Sequence, residues 1–92
     1  MKISYKETFV NRFEHQLEFI AMDSPARARQ FKNEILNRIR KITINPKQFR
    51  KSIYFDDVNI RDLVFKGYAV VFRINGETIE VFGFVKFQKL PF

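Results

Sequence analysis

The side chains best equipped for chemistry in this chain gather toward its C-terminus: Arg61, Tyr68, Arg73, Lys86 and Lys89, with Phe82, Phe84 and Phe87 among them. Cations and aromatic rings in this mixture can grip phosphates, stack on bases, or stabilise the charge of a phosphoryl transition state. They equally suit a plain strand edge, where lysines discourage edge-to-edge pairing. Most other catalytic equipment is missing. The lone histidine, His15, falls about 200° around a helix from Phe13, on the outer face, and reads as a surface residue. The absence of cysteine excludes disulfides, thiolate zinc sites and cysteine nucleophiles. A metal would need clustered carboxylates, for which Asp56, Asp57 and Asp62 are the candidates, and adjacent aspartates before a strand more often serve turns. Gly67, Gly76 and Gly83 are too scattered to cradle a phosphate, and no Ser/His/Asp spacing is present. No cofactor and no metal are expected.

Seventeen Lys and Arg against ten Asp and Glu give a formal charge of +7. In a chain of 92 residues that imbalance asks for an anionic partner: nucleic acid, lipid surface or acidic protein. The charge is spread from Lys2 to Lys89, so it is not a detachable tail. No apolar run reaches the roughly 18–20 residues that cross a bilayer. Met1 to Tyr5 lacks a signal-peptide pattern, so a cytoplasmic location without membrane contact is expected. Twelve phenylalanines within 46% hydrophobic residues are ample for one core, and residues 1–92 read as a single domain.

Positioning these groups falls to a short list of elements. Lys2 to Tyr5 reads as an opening strand. Val10, Phe13, Leu17 and Ile20 recur at helical spacing, with Phe9 and Phe19 widening the stripe and Thr8 available as a cap. Ser24-Pro25 is a strong start for a second helix, as N-cap and first-turn proline. Ala28, Phe31, Ile35, Ile39 and Ile42 form its apolar stripe, and Asn45-Pro46 ends it. Lys47 to Asp57 is a basic, aromatic connection without periodicity. Val58 to Phe65, Tyr68 to Ile74 and Glu77 to Lys86 then read as strands, rich in Val, Ile and Phe. The predicted fold is α+β, β-α-α-β-β-β, with a helical hairpin on one face of a small twisted antiparallel sheet.

Asn75-Gly76 is a strong two-residue hairpin signal. Counting outward from it pairs Ile74 with Glu77, Phe72 with Ile79, Val70 with Val81 and Tyr68 with Gly83. That register places Phe82 and Phe84 on the face away from the helices, beside Arg73 and Glu80. A face carrying both rings predicts a surface that something covers or grips. Arg61 joins Phe72 if Lys66-Gly67 is a two-residue turn, and reverses face if the loop is longer.

Three stretches, taken in order, resemble the RelE/ParE toxin superfamily over nearly the whole chain. Phe13 to Ile20 is similar to its first-helix segment. Met22 to Pro46 (MDSPARARQFKNEILNRIRKITINP) resembles the second helix of its ParE-like branch, with the Ser-Pro start, an alanine, a phenylalanine and a closing proline. Ile60 to Lys86 resembles the C-terminal sheet, with Arg61 seven residues before Tyr68 and a polar hairpin before the last strand.

The resemblance implies the toxin of a bacterial type II toxin–antitoxin pair, neutralised by a cognate acidic antitoxin that wraps apolar grooves and basic surface. The RelE-like branch cleaves mRNA on the ribosome without metal, using converging lysines and arginines. Here Ala69 replaces the arginine expected after the strand tyrosine. The paired lysines fall at Ile60 and Asp62, and only Lys89 could meet the late arginine. The ParE-like branch inhibits growth by binding DNA gyrase, and the Ser-Pro start and Arg61 favour it, although Lys86 stands where its late histidine would be. The resemblance thus implies target binding by Arg61, Tyr68, Arg73, Phe82, Phe84, Lys86 and Lys89. A ribosome-dependent nuclease would instead use Arg61, Arg73, Lys86 and Lys89 on phosphate. A non-toxic nucleic-acid-binding module is the third reading.

Overall fold

A computed structural model describes residues 1–86, so Phe87 and Lys89 lie outside the described residues. Five strands form one sheet in the order β1-β5-β4-β3-β2: β1 (Lys2–Tyr5), β2 (Arg50–Lys51), β3 (Ile60–Phe65), β4 (Tyr68–Asn75) and β5 (Thr78–Lys86). Helices α1 (Glu7–Asp23) and α2 (Pro25–Arg40) follow β1. Strands β2 to β5 run antiparallel, but β1 lies parallel to β5, so the sheet is mixed rather than wholly antiparallel. Connectivity permits the parallel pairing, because both helices and three strands intervene between its partners.

Ser24 caps α2 as the sequence predicts: its hydroxyl accepts the Arg27 N–H at 3.2 Å. Ala28, Phe31, Ile35 and Ile39 are buried along the helix, and Ile42 is buried in the 3-10 turn (Lys41–Ile44) that follows it. In α1 the cap is Lys6, and the Thr8 hydroxyl instead donates to the Phe82 carbonyl of β5. Phe9 and Phe13 are buried, whereas Phe19 is exposed and adds nothing to the stripe. Both helices close on Leu63, Val70, Phe72, Ile79, Val81 and Phe84 in one core.

The hairpin register departs from the count. Asn75 pairs with Thr78 and Ile74 with Ile79, so the loop is Gly76-Glu77 and Asn75 belongs to the strand. Of the two loop residues only Gly76 has positive φ, at 57°. Positive φ at both central positions occurs instead at Lys66-Gly67 (49° and 82°), the pattern of a type I′ turn. That two-residue turn pairs Phe65 with Tyr68 and places Arg61 opposite Phe72.

A second departure has larger consequences. The β4–β5 ladder slips between Val71 and Phe72: Val81 faces Phe72 and Gly83 faces Val71, leaving Phe82 as the extra residue of a β-bulge. Beyond it the alternation inverts. Phe84 therefore pairs with Val70 and turns toward the helices, where it is 5% exposed, instead of sharing the outer face with Phe82. Phe9, Phe13 and Tyr68 surround it at ring centroid distances of 6.0, 5.4 and 5.1 Å. Gly83 makes the inversion possible, since a Cβ there would stand 2.9 Å from the Val71 Cβ.

Candidate functional site

The outer face of the sheet, away from the helices, carries Ile60, Asp62 and Val64 from β3, Ala69, Val71 and Arg73 from β4, and Glu80 and Phe82 from β5. The stretch between β2 and β3 folds against it. Asp62 anchors that stretch: its Oδ2 accepts the Ile53 N–H at 3.0 Å and the Arg50 guanidinium at 3.2 Å. Burial of this carboxylate is tolerable because it has a cation and a backbone donor. Asp57 serves its own turn, accepting the Asn59 N–H at 2.8 Å. The Phe55 ring then meets Phe82 edge-on at 5.4 Å.

Beside these rings lies a cavity of about 290 Å³ lined by Lys6, Phe55, Ile60, Arg73, Glu80 and Phe82. Arg73 donates from Nε and Nη2 to one Glu80 oxygen at 2.8 Å, and Lys6 reaches the other at 3.4 Å. The Arg73 hydrogen bond, with Lys6 in support, holds the Glu80 carboxyl below the ordinary glutamate range despite partial burial. Two cations on one carboxylate leave a net positive charge in a fixed position. On β3 and on the connection that leads to it, Ile53, Phe55, Val58 and Val64 are exposed apolar groups. Apolar rings framed by an ordered ion pair suit a macromolecular contact better than a reaction on a small substrate.

Of the residues singled out in the sequence, the structure brings Arg73 and Phe82 together here. Phe84 is sealed in the core, so its ring cannot meet a partner without unfolding. Arg61 projects to the helix side, where its Nε donates to the Val58 carbonyl at 2.9 Å and its Nη1 to the Phe49 carbonyl at 3.0 Å. It thus tethers the aperiodic connection from inside. Tyr68 is half-buried and pairs with exposed Lys86 at the far end of the β4–β5 ladder. Five residues of strand separate Tyr68 from Arg73, roughly 17 Å. Lys89 lies outside the described residues.

Sequence reasoning placed Glu80 beside Arg73 but missed Lys6 and Phe55 as their neighbours, because these two come from other elements. It also treated His15 as isolated, whereas His15, Arg12 and Lys86 line one cleft between α1 and the end of the sheet. A further groove of about 430 Å³ opens along the helical hairpin. Tyr5, Val10, Leu17 and Leu36 supply its apolar lining, with Lys32, Arg40 and Glu14 beside them. Burial raises the Tyr5 phenol above its ordinary pKa, against the nearby Arg40 charge. Among the described residues no helix is long and apolar enough to cross a membrane.

No curated protein matches the sequence. A solved structure described as the chromosomal ParDE TA system from P. aeruginosa is similar in fold, with a TM-score of 0.78 over 96% of this chain and 97% of that one. At 12% identity this likeness speaks for the fold alone. The family model for the ParE toxin of the type II toxin–antitoxin system parDE matches residues 3–86, from β1 through the end of β5. The chain is therefore a member of the ParE toxin family of type II toxin–antitoxin systems.

Proposed function

We propose that this toxin halts growth by binding DNA gyrase, without cutting RNA, and that a cognate acidic antitoxin neutralises it. The observation that carries the reading is the dispersal of Arg61, Arg73 and Lys86, the described cations that the nuclease reading would use. Phosphodiester cleavage without metal needs several charged groups converging on one phosphate. Arg61 is bonded to backbone carbonyls on the helix side, Arg73 to Glu80 on the outer face, and Lys86 lies at the other end of the ladder. Ile60, Asp62 and Ala69, where the nuclease branch has basic residues, share the outer face as two apolar groups and one buried carboxylate.

The target surface in this reading is Arg73 and Phe82 with Phe55 and the exposed apolar groups of β3 and its connection. The antitoxin occupies the helical-hairpin groove, where Lys32 and Arg40 outnumber Glu14 and would draw an acidic amphipathic segment. Controlled induction with separate pulse-labelling of DNA, RNA and protein synthesis tests this function. DNA synthesis should fail first while translation continues. Immediate translation arrest with mRNA cut at the ribosomal A site would replace it with the nuclease reading, and no growth defect with the non-toxic one.

A further inference from the structure

Several cations of the sheet and hairpin have partners. Lys6 and Arg73 share Glu80, Arg50 meets Asp62, Lys66 meets Glu34 at 3.0 Å, and Arg38 lies over the Phe65 ring at 4.1 Å. The cleft between α1 and the end of the β4–β5 ladder is different. Asn11, Arg12, His15 and Gln16 follow one another at i, i+1, i+4 and i+5, which puts them on one side of α1. They line a cleft of about 390 Å³, and Tyr68 and Lys86, paired across β4 and β5, line it from the sheet. Among the described residues, Arg12, His15 and Lys86 make no ion pair and no carboxylate lines the cleft. The Tyr68 ring lies flat on Phe84, 10° from parallel, so its face is committed to the core while its hydroxyl has no hydrogen-bond partner there.

We propose that this cleft is a phosphate-binding site that takes the backbone of single-stranded nucleic acid. A guanidinium, an ammonium, an imidazole N–H, two amides and a phenol can together satisfy several oxygens of a phosphate and the sugar hydroxyls beside it. A carboxylate has two oxygens and would leave most of these donors unused. The volume suits a nucleotide-sized group, and the flexible backbone of a single strand can follow a cleft between a helix and a strand end. The site lies on the helix side of the sheet, away from Arg73 and Phe82, and does not rest on gyrase being the target.

Fluorescence anisotropy of the full-length protein with a short labelled single strand tests the site, with DNA and RNA in separate arms. Arg12→Gln/Lys86→Gln should weaken binding at least about tenfold and flatten the slope of log affinity against log salt by roughly 1.4. Both positions are exposed, so the melting temperature should hold. The charge-matched Lys41→Gln/Lys47→Gln variant, on other exposed positions, should stay within about twofold of wild type. Inorganic phosphate at millimolar concentration should compete. Equal losses in the two double variants would mean diffuse charge and overturn the site. So would a cleft variant that loses a glutamate-rich peptide but keeps the oligonucleotide, since the cleft would then be a protein contact.

Discussion

The two faces of this sheet use their large side chains differently. On the helix side, Phe9, Phe13, Phe31, Phe72 and Phe84 pack against one another and against Ile35 and Ile39 with almost no exposure. On the outer side, Val71 and Ala69 are buried, yet Phe55 remains 45% exposed and Phe82 half-buried beside a Glu80 held by two cations. The helix side stabilises the fold by area removed from water. The outer side is closed only as far as the Asp62-anchored connection reaches, and it leaves rings and charge where a partner can meet them. A bulge of one residue decides which phenylalanine belongs to which face.

The sharpest way to break that contrast is to truncate one ring from each side. Phe72→Ala should cost about 3–5 kcal/mol in urea denaturation, as expected for a fully buried ring. Phe82→Ala should cost less than about 1 kcal/mol, as for other partly exposed positions. Equal losses would show that the outer ring is core as well. Next in size, Asp62→Ala should cost about 1–3 kcal/mol, because the Ile53 N–H loses its acceptor. Amide hydrogen exchange at Ile53 should then accelerate while exchange in the core of α2 holds.

Gly83→Ala should cost roughly 1–2 kcal/mol through its clash with Val71. Adding Val71→Ala should recover part of that loss, which a merely conformational effect of the glycine would not allow. The smallest effect is electrostatic. Glu80 has its pKa depressed in the folded state, so its contribution is present above the ordinary glutamate range and fades as pH falls through the lower folded value. Wild type should therefore lose more stability on acidification than Glu80→Gln, read as the shift of the urea midpoint between neutral and acid pH.

Much of this was legible in the residues. The 3–4 spacing from Ala28 to Ile39 and the Ser24-Pro25 start specify α2 locally, and the β-branched runs specify β3 to β5. Pairing information is not local in that sense. Period-2 counting carried the wrong parity past Phe82, although a glycine inside a strand pattern, Gly83, signals a bulge or a close approach. The parallel docking of β1 on β5 and the short β2 depend on contacts far apart in sequence. The tethering role of Arg61 was hidden for a related reason. Its partners are backbone carbonyls of an aperiodic connection, and nothing in the identity of Phe49 or Val58 announces an acceptor. The site that Arg73 and Phe82 share was half visible, because their face followed from the strand pattern while Lys6 and Phe55 came from other elements.

Purified gyrase offers the most direct measurement: DNA cleavage and supercoiling in the presence of this protein and of its Arg73→Ala/Phe82→Ala variant, at matched folding. Wild type should inhibit supercoiling and accumulate gyrase-linked DNA breaks, and the variant should do neither while melting at the same temperature. Unaltered gyrase activity at toxin concentrations that stop growth would contradict a target-binding outer face, as would a variant fully as inhibitory as wild type.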